Sequence, residues 1–236
     1  MRSAALLPLA AVLSLGCGIS PPAGNGRAPT TPTAAAISAQ VAAVRAGEAK
    51  RITAEEPLTT AEWESLRGLV GLRELVLRAG VADDGRARLL ATLPDIERLV
   101  LRDSPLSDSG VRELARCTRL RDLNVPQAAC TPAGIRALAA LPRLRSLRLG
   151  GPHLTGADVG RAVAELVHLR SLHLIDVPLG DEGLDAVARL PGLWNLYLDG
   201  AEVSDEAWTR YFQTHPDVHV HVDQAHHDRD PARDHD

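Results

Sequence analysis

Residues 144–149 read LRSLRL and residues 169–174 read LRSLHL. Two near-identical hexads 25 positions apart mark a repeated structural unit, and the rest of the unit can be laid out from them. The apolar pair that closes each hexad recurs as Leu75/Leu77, Leu99/Leu101, Leu123/Val125, Leu147/Leu149, Leu172/Leu174 and Leu196/Leu198. The steps are 24, 24, 24, 25 and 24 residues, and one more step of 24 lands on Val220/Val222. Three residues ahead of each pair stands Leu72, Ile96, Leu120, Leu144, Leu169 or Leu193. A fixed period of this size is the signature of a stacked array of like units.

Each unit has two halves. The pattern L-x-x-L-x-L ends in period two, so its leucines point to one face of a short strand. Thr59, Ser107, Thr131, Thr155 and Ser204 then stand where a side-chain oxygen accepts a hydrogen bond from a free N–H at the start of a helix. Apolar residues follow at helical spacing, as at Val111, Leu114 and Cys117 or Ile135, Leu138 and Leu141. Pro94, Pro142 and Pro191 bar three of these helices from continuing. The extra residue of the 25-residue unit falls between Leu154 and Leu166, in the helical segment. A single strand–helix unit cannot bury its own apolar face. Stacked units share a continuous core, with parallel strands on one wall and helices on the other.

Together with the phrase S/T-x-x-G-apolar at Ser107 to Val111 and Thr131 to Ile135, these units resemble leucine-rich repeat proteins over residues 50–222. The ribonuclease-inhibitor-like repeats of bacterial lipoproteins are the nearest likeness. The resemblance implies an α/β fold: a right-handed horseshoe solenoid with parallel strands on the concave face and helices on the convex face. It also implies protein binding rather than enzymatic activity. One column departs from the family pattern. Where an Asn or Cys usually follows the strand, this chain has Gly80, Ser104, Ala128, Pro152, Val177 and Ala201. The inner turn is therefore expected to rely on backbone bonds or water.

The ends are of different character. Residues 1–16 begin with Met1-Arg2-Ser3 and an apolar run from Ala4 to Leu15, the length of an export-signal core and too short to cross a bilayer. Leu13 to Cys17 (LSLGC) resembles a bacterial lipobox, which implies cleavage before Cys17 and a diacylglycerol on its sulfur. Ser14 stands where that motif usually has Leu, and Ser14 with Gly16 also suits an ordinary signal peptidase, so soluble secretion is the alternative. Residues 17–33, rich in Pro, Gly and Thr, have almost nothing to bury and are expected to be a disordered linker. Residues 34–57 are assigned to an N-terminal cap helix, with Ile37, Val41 and Val44 on one face, and a degenerate first repeat. Residues 58–222 carry the repeats. In the last of them Trp208, Tyr211 and Phe212 replace small aliphatics and are placed to close the core. Residues 223–236 (DQAHHDRDPARDHD) are expected to be a disordered His- and Asp-rich tail.

On strands whose leucines point inward, the intervening residues face solvent: Val76, Val100, Asn124, Arg148, His173 and Tyr197, with Glu74, Arg98, Asp122, Ser146, Ser171 and Asn195 two places earlier. Arg148, His173, Trp194, Asn195 and Tyr197 gather in the C-terminal half. Arginine and aromatic residues with polar tips carry interface energy, which makes these five the candidate partner-binding residues. A second column, Arg73, Arg121, Arg145 and Arg170, is interrupted by Glu97. It reads either as a basic stripe for acidic polysaccharide or anionic headgroups, or as exposed arginines paired with nearby carboxylates.

His219 and His221 alternate along the last strand, with His226 and His227 close behind. Their spacing matches no established metal motif, so these four are weak candidates and no metal or cofactor is assigned. Cys117 and Cys130 align with opposite ends of one strand, too far apart for a disulfide, and are expected to be buried free thiols. A net charge of −4 gives no bulk basic field for nucleic acid. The chain has no G-x-S-x-G, phosphate loop or H-E-x-x-H, and the acidic pairs Asp83-Asp84 and Asp181-Glu182 fall at helix starts, where the dipole favours negative charge. The resulting expectation is a monomeric, non-enzymatic interaction module, displayed at the cell envelope through a lipid anchor and binding a protein partner on its concave face. The alternatives are a structural envelope component without a ligand, or a weak metal- or glycan-binding surface protein.

Overall fold

The computed structural model describes residues 36–228 and Asp230. Residues 1–35, where the export signal, the lipidated Cys17 and the linker are expected, lie outside the described residues, as do Arg229 and residues 231–236. Helices and strands alternate along the chain. They run α1 (Ile37–Arg45), β1 (Arg51–Ala54), α2 (Thr60–Leu66), β2 (Glu74–Leu77), α3 (Asp84–Leu90), β3 (Arg98–Leu101), α4 (Asp108–Leu114) and β4 (Asp122–Val125). Next come α5 (Pro132–Ala137), which tightens into a 3-10 turn at Leu138–Ala140, β5 (Ser146–Gly150), α6 (Ala157–Ala164), β6 (Ser171–Ile175) and α7 (Gly180–Val187). The last elements are β7 (Asn195–Leu198), α8 (Asp205–Thr214), β8 (His219–Val222) and β9 (Ala225–His226).

All nine strands form one sheet in chain order, with β1 to β8 parallel and β9 antiparallel to β8. The register is the repeat made physical: Leu75 pairs with Leu99, Leu99 with Leu123, Leu123 with Leu147, Leu147 with Leu172 and Leu172 with Leu196. The two quoted hexads therefore lie side by side as hydrogen-bonded neighbours. Every leucine in this row is buried, and each such side chain contributes about 1.5–3 kcal/mol by leaving water. One apolar cluster runs from Ile37 to Val220 through all the units.

The helix starts are tied to one another by a ladder that sequence patterning does not announce. Asp84 accepts from the Ser107 N–H (3.0 Å) and hydroxyl, Asp108 from the Thr131 N–H (2.7 Å) and hydroxyl, and Asp181 from the Ser204 N–H (2.8 Å) and hydroxyl. Each carboxylate sits at the start of one helix and fastens the capping residue of the next coil. The same contact explains the glycine of the S/T-x-x-G phrase. A Cβ on Gly110 would stand 2.3 Å from Asp84 Oδ1, and one on Gly134 would stand 2.6 Å from Asp108 Oδ1. The ladder skips the middle of the chain, where Pro132 occupies the acidic position. There α6 and α7 approach backbone to backbone instead: a Cβ on Gly160 would lie 2.3 Å from the Gly183 carbonyl oxygen.

Thr155 does not cap α6, contrary to the expectation from sequence. The extra residue of the 25-residue unit is taken up ahead of the helix, where Gly156 adopts φ 67° and donates its N–H to Pro178 O at 2.8 Å. In the inner-turn column, backbone bonds such as Ala128 N–H to Gly150 O (2.9 Å) do most of the satisfying. Ser104 is the exception: fully buried, its hydroxyl accepts from Ala82 N–H (3.0 Å) and reaches Gly80 O (3.2 Å).

Both exposed edges of the sheet are closed. At β1 the Gln40 amide imitates a peptide group, donating to Thr53 O (2.9 Å) and accepting from Thr53 N–H (2.8 Å). At the other edge the structure corrects the expectation of a disordered tail from Asp223. Residues 223 and 224 form a two-residue turn with φ 49° and 66°, the left-handed geometry that suits a tight hairpin, and β9 folds back on β8. Asp223 fixes that turn by accepting from Gly200 N–H at 2.8 Å. Asp230 then returns to the sheet, fully buried, and accepts from Val220 N–H at 2.8 Å. An edge strand with its N–H groups covered is a poor template for aggregation.

Candidate functional site

Period-two alternation carries one residue per strand to the sheet's open face, and the register aligns them. The row reads Thr53, Val76, Val100, Asn124, Arg148, His173, Tyr197 and His221. The adjoining row reads Arg51, Glu74, Arg98, Asp122, Ser146, Ser171, Asn195 and His219. This ladder of eight parallel strands, recurring every 23 to 25 residues, with leucines on the inner side of β2 to β7 and helices behind them, decides the architecture. The fold is a leucine-rich repeat solenoid.

The N-terminal part of the solenoid's open face satisfies its own charges. Glu74 lies between Arg51 (3.7 Å) and Arg98 (3.4 Å). Further along, a depression of about 160 Å³ is lined by Arg98, Asp122, Asn124, Ser146, Arg148, Ser171, His173 and Tyr197. Burial raises the Asp122 pKa, with Arg98 and Arg121 pulling it back. Two register neighbours on the floor, Asn124 through Oδ1 and Arg148 through Nε, hold buried polar atoms with no hydrogen-bond partner in the protein. Buried polar atoms are normally satisfied, so a depression containing two such atoms suits a ligand that brings its own polar groups.

Of the five residues singled out from sequence, the structure unites Arg148, His173 and Tyr197 in one row and puts Asn195 in the next. His173 packs against Tyr197 in a tilted arrangement with ring centroids 5.4 Å apart and is steadied by Asp199, whose Oδ2 lies 2.9 Å from His173 Nε2. Asp199 was not singled out from sequence. The signal for it was there, because the residue after the inward Leu198 continues the alternation onto the open face. Trp194 does not join the group. It lies one residue ahead of β7, is 66% exposed, and packs beside the Arg170 guanidinium at 5.9 Å. In the arginine column containing Arg170, Arg73 pairs with Glu97 (3.3 Å), while Arg145 and Arg170 donate to backbone carbonyls.

The histidines divide in the same way. His219, His221 and His226 come together on β8 and β9, while His227 packs against Trp208 and Phe212 at centroid distances of 4.7 and 5.0 Å. His221 lies 4.9 Å from Tyr197 and 4.1 Å from His226, so one line of rings runs from His173 to the hairpin. Among the described residues no helix is long and apolar enough to cross a membrane.

No protein-family model matches the chain, and no curated protein matches it. Among solved structures, the chain is similar to internalin C2 of Listeria monocytogenes, with 22% identity and a TM-score of 0.48 over 67% of this chain and 64% of that one. It is also similar to a second internalin of that organism, inlF (18% identity, TM-score 0.44, 79% and 64% covered). A third similar structure is the leucine-rich repeat ectodomain of the Arabidopsis receptor kinase HAESA, solved with an N-terminally extended IDA peptide hormone (15% identity, TM-score 0.40, 64% and 32% covered). The chain thus spans less than two thirds of the length of each, and at these identities the likeness is one of fold.

Proposed function

We propose that this chain is a non-enzymatic interaction module, exported and held at a bacterial cell envelope through a lipid on Cys17. It grips a protein partner with the open face of the sheet around Arg148, His173, Asn195 and Tyr197. The observation that carries this reading is the aligned row itself. A half-buried arginine, a histidine and a tyrosine stand on consecutive strands above a depression whose Asn124 and Arg148 have polar atoms unmatched within the protein. Rigid strands hold these side chains, so little order has to be gained on binding.

Crosslinking in intact source cells followed by mass spectrometry would identify the partner. Binding of that partner by the Arg148→Ala/Tyr197→Ala double variant should then fall at least about thirtyfold, the scale of losing an interface hot spot. Undiminished binding by a variant that folds normally would reject the assignment of the patch. Membrane attachment has a separate check: the mature N-terminal peptide should carry acyl chains on Cys17, and Cys17→Ala should release the protein from the membrane.

A further inference from the structure

We propose that His219, His221 and His226 form a binding site for a divalent late transition-metal ion, with zinc as the representative, that pins the C-terminal hairpin to the end of the solenoid. This goes beyond partner binding by the sheet face and rests on different residues.

Three observations converge on it. The first is proximity: one ligand atom from each of the three histidines lies within 4.8 Å of the other two. His219 and His221 share a face of β8 because they are two residues apart, and the tight turn delivers His226 directly opposite His221 in register. Sequence spacing offers these three together with His227 and does not tell them apart, because the third member depends on a hairpin whose turn residues carry no glycine.

The second is orientation. Asp230, fully buried, holds Nδ1 of His219 at 2.9 Å. A carboxylate on one ring nitrogen fixes the tautomer and turns the other nitrogen outward, the arrangement common behind metal-bound histidines. The same carboxylate oxygen lies 3.6 Å from Nδ1 of His226. It places a negative charge beneath the cluster, where a cation would be stabilised.

The third is the ring-to-ring contact. Nε2 of His219 and Nε2 of His221 are 2.8 Å apart, which requires one ring to present a proton to the lone pair of the other. A metal ion takes the place of that proton. Zinc–nitrogen bonds of about 2.0–2.1 Å at a tetrahedral centre set two ligand nitrogens about 3.3 Å apart, so the rings need to part by only about half an ångström. Three imidazoles select for zinc, copper or nickel over magnesium or calcium, and they leave a fourth position for water or a group from outside. Bound there, the ion joins β8 to β9 across the turn and stabilises the hairpin that closes the sheet edge, because it binds only the folded arrangement.

The test is calorimetric titration of the full chain with zinc chloride. One ion per chain is expected. His219→Ala and His226→Ala should each abolish saturable binding, Asp230→Asn should weaken it by about 10–100-fold, and His168→Ala, on an exposed turn between α6 and β6, should leave it unchanged. If the alanine variants fail to fold, the unmodified chain still decides the matter. Bound zinc should protect His219, His221 and His226 from diethylpyrocarbonate, mapped by peptide mass spectrometry, and should raise the melting temperature. Absence of saturable binding would overturn the proposal. So would zinc uptake that survives the His219/His221/His226 triple substitution, or protection confined to other histidines.

Discussion

Cys117 and Cys130 show how position in the repeat sets the chemistry of a single residue. Each occupies a slot that neighbouring units fill with leucine, and both are buried and unpaired. Burial pushes the Cys117 thiol up to about 11, against a small opposing pull from Arg116. It pushes Cys130 up to about 12, with the charge of Asp108 adding to the effect. The reactive thiolate is therefore about one part in a thousand or less at pH 8, before access is considered. Maleimide at that pH should leave both residues unmodified in the folded protein and label both in denaturant, as read by mass spectrometry of the 117 and 130 peptides. An adduct on either in the folded state would mean that its coil opens readily. Residues of the open face were legible in the sequence for an equally local reason. Alternation is rigid inside a strand, so Arg148, His173 and Tyr197 followed from counting, whereas Trp194, one step outside β7, did not.

At the scale of elements, the strands were readable because a leucine that must be inward leaves its neighbours no choice of face. The joints between coils were not. The aspartates at helix starts look in sequence like dipole partners, and only the stacked fold shows that they serve the following coil. Asp181 gives a test with a definite sign. Bonds from the Ser204 backbone and hydroxyl hold its carboxyl below the ordinary range. A depressed folded-state pKa means that the unfolded chain takes up the proton first as pH falls. The stabilisation is therefore fully present above the usual Asp pKa of about 3.9 and is lost as pH drops through the folded value. Asp181→Asn should accordingly lower the urea midpoint at pH 7, and the gap from the parent chain should narrow towards pH 3. A gap independent of pH would place the cost of the substitution in shape rather than charge. The C-terminal hairpin escaped sequence reading for another reason. DQAHH has the composition of a solvated tail, and its order comes from contacts made elsewhere, by Asp223 on Gly200 and by Asp230 on Val220.

At the scale of the molecule, each coil touches only its neighbours, so stability is close to a sum of unit and interface contributions and the ends decide where unfolding begins. The N-terminal end is covered by Ile37, Val41 and Val44 of α1, with Gln40 sealing the strand edge. The C-terminal end is covered by Trp208 and Tyr211, with Phe212 and His227 packed around Trp208 and the hairpin sealing the edge. Trp208 packs against Tyr211, Phe212 and His227. Trp208→Ala should cost about 3–5 kcal/mol, the usual range for deleting a buried large aromatic. In a nearest-neighbour array that loss should be spatially graded. Amide hydrogen exchange should accelerate most in β7, α8 and β8, less in β6, and hardly at all in β1 to β3. The hairpin bearing His226 should open with the cap, so the variant should also bind zinc more weakly without losing a single ligand. Uniform acceleration from β1 to β8 would show instead that the solenoid unfolds as one cooperative block, with its caps serving as part of the whole rather than as separate closures.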